Sequence, residues 1–150
     1  MPEKETIERA RRDKRQGKAA STQAGEFVRE EIHHIREGKH GARSAKQAIA
    51  IGLAKARRAG VKLPTPKNAS AATKRSAKSA ARAGRKRAKP SPRRSQAMLR
   101  KLKREGRAAA SSRALARQAR SAAKRRPRAA RKAAARKAAN TRRRRQHASA

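Results

Sequence analysis

The chain has 150 residues and carries 47 Lys and Arg against 9 Asp and Glu, a formal charge of +38. Its 35% hydrophobic fraction is mostly Ala, and Ile, Leu, Val and Phe together number only 13, a scarcity that with high net charge marks chains unable to build an ordinary core. Such a composition excludes most enzymes. Without Trp or Tyr, and with Phe27 as the single aromatic, it also lacks the side chains that stack on splayed-out bases.

The charge divides unevenly. Residues 1–67 hold 17 basic and 8 acidic side chains, whereas residues 68–150 hold 30 basic side chains and the single acid Glu105. Large apolar residues concentrate in the same first stretch. The expected organisation is all-α: a small helical head, 1–67, and a basic low-complexity tail, 68–150, largely disordered or conditionally helical, joined at Leu63-Pro64-Thr65-Pro66.

A marginal first helix is expected over about 3–16, where Ile7 is the only large apolar side chain and Glu5 with Arg9, and Glu8 with Arg12, stand at i, i+4. A second spans about 23–37, capped by Ser21 or Thr22, with Phe27, Val28, Ile32 and Ile35 on one stripe and Gly38 as its stop. A third spans about 45–59. Ser44 with Gln47 three residues later forms a capping-box pattern, Ala45, Ala48, Ile49, Gly52, Leu53 and Ala56 share a face, and Gly60 follows the basic last turn. The packing residues of this hairpin are Phe27, Val28, Ile32, Ile35, Ile49, Gly52 and Leu53. Two helices bury too little apolar surface to fold unaided, so self-association through the two stripes, or folding coupled to a ligand, is expected.

The tail is built from Ala, Arg, Lys and Ser. Segments of about 96–105, 113–126 and 128–139 are conditionally helical: Ala, Arg and Lys favour helix, but like charges four residues apart oppose it in water. Phosphates would relieve that repulsion. Ser91-Pro92-Arg93-Arg94 is similar to the Ser-Pro-basic-basic turns of histone tails, which present two cations to a narrow minor groove.

Nucleic acid is the partner this charge pattern implies, DNA ahead of RNA, through backbone neutralisation indifferent to sequence. The expected phosphate-binding residues are Lys55, Arg57, Arg58 and Lys62 at the end of the third helix, then Arg85, Lys86, Arg87, Arg93, Arg94, Arg100, Lys101, Lys103, Arg104, Lys124, Arg125, Arg126, Arg131, Lys132, Arg136, Lys137, Arg142, Arg143, Arg144 and Arg145. Two other readings stand beside this one: an RNA- or ribosome-associated protein, and a protein-interaction module whose tail is a polyanion tether. No catalytic set is legible. His33, His34 and His40 are read as surface or packing residues rather than metal ligands, and Glu30 and Glu31 as surface ion pairs. No cofactor, metal, small-molecule substrate or membrane span is expected, and the location is expected to be cytoplasmic, at the nucleoid.

The segments GEFVREEIHHIREGKHGARSAKQAIAIGLAKARRAGVKLPTPK (25–67) and SQAMLRKLKREGRAAASSRALARQARSAAKRR (95–126) resemble a family of small, uncharacterised bacterial proteins with a helical N-terminal domain and an Ala/Lys/Arg-rich tail. That resemblance implies the head-and-tail organisation and no activity. The tail is also similar in composition to those of linker histones and bacterial histone-like nucleoid proteins, although it favours Arg over Lys and no winged-helix head precedes it.

Overall fold

The computed structural model describes residues 2–65, 69–86 and 91–147, the side chain of Arg145 excepted. The described residues form seven α-helices, α1 (Lys4–Arg15), α2 (Ala20–Arg36), α3 (Ala45–Arg58), α4 (Ala71–Arg85), α5 (Pro92–Lys103), α6 (Ser112–Lys124) and α7 (Arg128–His147), with a short 3-10 turn at Ala108–Ala110 between α5 and α6. No strand occurs among them, so the fold is all-α. Two compact units divide the chain, Met1–Ala114 and Leu115–Ala150.

In the first unit, α3 forms as its local sequence dictates. The Ser44 hydroxyl accepts from the Gln47 N–H at 3.2 Å, and the Gln47 amide oxygen accepts from the Arg43 N–H at 2.8 Å, one residue earlier than in the usual capping box. At the other end Gly60 takes φ 92°, so that the Gly60 N–H reaches the Arg57 carbonyl and the Val61 N–H reaches the Ala56 carbonyl, a Schellman closure. Gly38 ends α2 in the same way. The start of α2 differs from expectation: it begins at Ala20, with Ala19 as an N-cap that supplies no side-chain bond. Ser21 and Thr22 are therefore inside the helix.

α2 lies between α1 and α3, and α4 packs on α3. A Cβ at Gly52 would lie 2.7 Å from Val28 Cα and 3.0 Å from the Phe27 carbonyl oxygen, so the small-residue face of α3 seats directly on the α2 backbone. The core there joins Ala10, Ala24, Phe27 and Ala56, flanked by Ile7, Leu53, Val61 and Leu63. Ile35 and Ala48 are fully buried and Ile32 nearly so, whereas Val28 and Ile49 are partly exposed. The two stripes expected to drive self-association thus pack on each other within one chain, with Val28, Ile49 and Leu53 only partly covered. What completes the hairpin is α1, α4 and the 3-10 turn.

The first unit also runs past the boundary expected at 67/68; residues 66–68 themselves lie outside the described residues, as do Arg87 and Pro90. α4 falls in the stretch read as largely disordered or conditionally helical, where no helix was named in advance. It forms because Ser70 caps it through the Thr73 N–H and because Ala77 and Ala80 give it a small apolar face that buries. Gly84 lets its last turn close against the Arg57 and Arg58 carbonyls. Farther on, the Gly41 N–H donates to the Leu102 carbonyl at 2.9 Å and the Ala42 N–H to the Gly106 carbonyl at 3.1 Å. Arg36 Nε donates to the Ala110 carbonyl at 3.0 Å. These bonds bind the end of α5 and the 3-10 turn to the α2–α3 connection.

Elsewhere the described tail is helical rather than coil. α5 starts at Pro92, in the first turn where its missing N–H costs nothing. The Ser91-Pro92-Arg93-Arg94 motif is therefore the beginning of a helix and not a compact minor-groove turn. α7 continues to His147, beyond the expected end near 139, its Ala-rich sequence offsetting the repulsion of its charges.

Candidate nucleic-acid interface

Among the described residues, the acids of the first unit other than Glu8 and Glu105 are paired locally. Arg9 Nε holds Glu26 at 2.7 Å while its NH1 lies 3.7 Å from Glu5, and Lys18 holds Asp13 at 2.7 Å. Glu3 accepts from His34 Nε2 at 2.8 Å and sits 3.5 Å from Lys39, which in turn lies 3.0 Å from Glu37. The hydrogen bond from His34, reinforced by the charges of His34 and Lys39, holds the Glu3 carboxyl below the usual carboxylate range despite some desolvation. The hydrogen bond from Lys39 does the same for Glu37, and that pairing raises Lys39.

Lys55 belongs to this internal network. Its Nζ lies 2.7 Å from Glu31 Oε2 and 3.2 Å from Glu30 Oε1, and the side chains of both acids are essentially buried. The expected surface ion pairs of Glu30 and Glu31 are thus interior, and Lys55 is their counter-ion rather than a phosphate ligand. On the next turn Arg57 is half-buried, donating to the Pro64 carbonyl at 3.2 Å. Of the four cations expected at the end of α3, Arg58 and Lys62 stand exposed.

Beyond α3 the pattern inverts. Among the described residues, no ion pair involves a residue after Lys55. Arg85 and Lys86 at the end of α4 are exposed; so are Arg93, Arg94, Arg100, Lys101, Lys103 and Arg104 on and just after α5. α5 is anchored at its C-terminal end, where Leu102 is buried, and residues 91–101 are exposed throughout.

In α6 and α7 the cations expected at Lys124, Arg125, Arg126, Arg131, Lys132, Arg136, Lys137, Arg142, Arg143 and Arg144 are all exposed. Arg87 and the Arg145 side chain lie outside the described residues. The structure adds Arg113, Arg117 and Arg120, which with Lys124 make a row at i, i+4, i+7 and i+11 along one side of α6. Reading RALARQARSAAK for the period of its charges, rather than of its few apolar residues, would have found them. A helix offering one cation per turn presents charge about every 5.4 Å, against one phosphate per roughly 1.7 Å of duplex.

No helix among the described residues is long and apolar enough to cross a membrane. Comparisons with curated proteins and with solved structures give no match. Residues 3–67, which span α1 to α3 and stop short of the cationic helices, match a protein family described as a family of unknown function, DUF6496.

Proposed function

We propose that the chain is a non-enzymatic, histone-like protein that binds DNA without sequence preference by neutralising backbone phosphates. The observation that supports this reading is the confinement of every described ion pair to residues 3–55, which leaves the described cations of α4 to α7 without acidic partners and, the partly covered Lys74 apart, exposed to solvent. A polyanion is what balances them. Because the stripes of α2 and α3 pack on each other within the chain, compaction on this reading comes from cations on separate helices engaging separate duplex segments rather than from a head-to-head dimer.

Phosphate contact also removes the repulsion between like charges at i, i+4 in α6 and α7, so binding raises their helix content. The test is fluorescence anisotropy of the full chain on a labelled duplex DNA across a salt series, repeated with scrambled duplexes and with single- and double-stranded RNA. The reading requires a log–log slope near −9 if about ten counterions are released, with indifference to DNA sequence. A preference for RNA of tenfold or more would assign the surface to RNA, and a salt-insensitive affinity would remove phosphate neutralisation as the mechanism.

A further inference from the structure

The end of the first unit where α2 meets its connection to α3 holds a second cluster, unrelated to the cationic helices. Glu31 on α2 is fully buried, and neither carboxylate oxygen has a hydrogen-bond partner of proper geometry. Lys55 Nζ stands close to Oε2, an ion pair without hydrogen-bond alignment, and His40 Nε2 lies 3.4 Å from Oε1. His34, one turn along α2, brings its ring edge-on to His40 with centroids 6.2 Å apart. One ligand atom from each of Glu31, His34 and His40 lies within 4.8 Å of the others.

The orientation of both rings follows from what they touch. His40 Nδ1 sits 3.1 Å from the Gly41 carbonyl, which can only accept, so Nδ1 is the donor there and Nε2 is the ring nitrogen turned towards Glu31. His34 Nε2 lies 2.8 Å from a Glu3 carboxylate oxygen and is likewise the donor. His40 Nε2 therefore faces Oε1 of a buried carboxylate that has no hydrogen-bond partner, a contact that a cation between them would satisfy. A proton would satisfy that contact alone. The convergence of a third donor, His34, calls for an ion that takes several ligands at once.

We propose that Glu31, His34 and His40 form a binding site for a divalent transition ion of the zinc class. Two imidazoles and one carboxylate are a familiar zinc donor set, and ligands about 2.0–2.1 Å from a tetrahedral ion stand about 3.3 Å apart. His40 Nε2 and Glu31 Oε1 are already near that separation, at 3.4 Å, and a ligand atom of His34 lies within 4.8 Å of both residues' ligand atoms. Metal ligands normally have their other polar atom held by an outer partner. Here Lys55 stands at Glu31 Oε2, the Gly41 carbonyl holds His40 Nδ1, and Glu3 holds His34 Nε2. His33, although adjacent to His34, points away into solvent towards Glu37 and is not part of the site.

The test uses untagged full chain, freed of nucleic acid by nuclease and high salt and stripped by chelation. Zn2+ is titrated against a chromophoric chelator, and Co2+ is followed by its visible d–d absorption. One equivalent per chain is expected, with a tetrahedral Co2+ spectrum. Affinity should fall more than about 100-fold in His40→Ala and in His34→Ala, about 10–100-fold in Glu3→Ala, and not at all in His33→Ala or His147→Ala. Far-UV circular dichroism identifies any variant that fails to fold, and in that case the Co2+ spectrum of the unmodified chain decides. Absence of that spectrum, or binding no tighter than in the His34→Ala/His40→Ala double variant, would overturn the site.

Discussion

Lys55 Nζ lies 2.7 Å from Oε2 of Glu31, and its side chain is 21% exposed while that of Glu31 is wholly buried. One ammonium thus compensates two interior carboxylates, Glu30 being 3.2 Å away. Removing one partner of a buried pair leaves the other uncompensated, which typically costs about 3–5 kcal/mol. Lys55→Met should therefore lower the unfolding free energy by about that amount in urea melts followed by far-UV circular dichroism. Under conditions where the variant is folded, DNA affinity and its salt slope should match the unmodified chain. A variant of unchanged stability but weakened DNA binding would return Lys55 to the phosphate-binding surface.

Gly52 is a position where a methyl group has nowhere to go. Its Cβ would fall 2.7 Å from Val28 Cα and 3.0 Å from the Phe27 carbonyl oxygen, backbone atoms of a helix that cannot step aside singly. Gly52→Ala gains helix propensity, by somewhat under 1 kcal/mol, but forces α2 and α3 apart at the core built around Phe27. Overpacking of this kind costs about 1–3 kcal/mol, so a net loss of stability is expected from the same melts, and a larger one for Gly52→Val.

The hairpin was legible because each of its signals is local. Ser44, Gly38, Gly60 and the apolar spacing around Phe27 and Ile49 act within a few residues of themselves, and α3 and the C-terminal end of α2 formed where those signals put them, whereas α2 starts at Ala20, ahead of the expected 23. α4 was not legible for a related reason: it has no large apolar side chain, and its buried face consists of Ala77 and Ala80, residues equally common on the exposed helices. What distinguishes α4 is the surface it meets, with Gly84 under the Arg57 carbonyl, and no local pattern carries that. The same holds for Glu31, His34 and His40. Their spacing fits no metal motif, and the helix and its following turn bring them together only once Gly38 has reversed the chain.

A second long-range tie can be tested directly. Gly41 is buried, its Cβ position falls on the Glu105 carbonyl, and its N–H donates to Leu102. Gly41→Ala should open this contact and release residues 102–110 from the α2–α3 connection. Amide hydrogen exchange should then accelerate at Ala42, whose N–H donates to Gly106, and at Ala110, with little change in α1. Uniform exchange across the whole first unit would instead mean that the tie is required for global folding.

The pH response of the N-terminal contacts has a defined sign. Glu3 and Glu37 have folded-state values lowered by hydrogen bonds from His34 and Lys39. The stability they contribute is present above the ordinary carboxylate value and is lost as pH falls through the lowered ones. Lys39, raised by Glu37, contributes below its ordinary value and loses that contribution as pH rises through the raised one. Carboxyl carbon NMR titration should place Glu3 and Glu37 below the ordinary glutamate value. In Glu3→Gln the thermal midpoint should depend less on pH on the acid side.

The cationic helices make the last prediction the most direct measure of the proposed function. Arg142, Arg143 and Arg144 at the end of α7 are exposed and have no acidic partner, and each phosphate contact contributes about 0.9 to the slope of log K against log salt. Changing all three to Gln should reduce the magnitude of that slope by up to about 2.7 while leaving the helical signal of the first unit intact. The same three-charge reduction made at Lys14, Lys18 and Lys39 should change the slope less, because Lys18 and Lys39 already hold Asp13 and Glu37. Equal effects at the two places would mean that net charge alone governs binding. A difference would mean that the local pairing of charge selects which cations reach the phosphates.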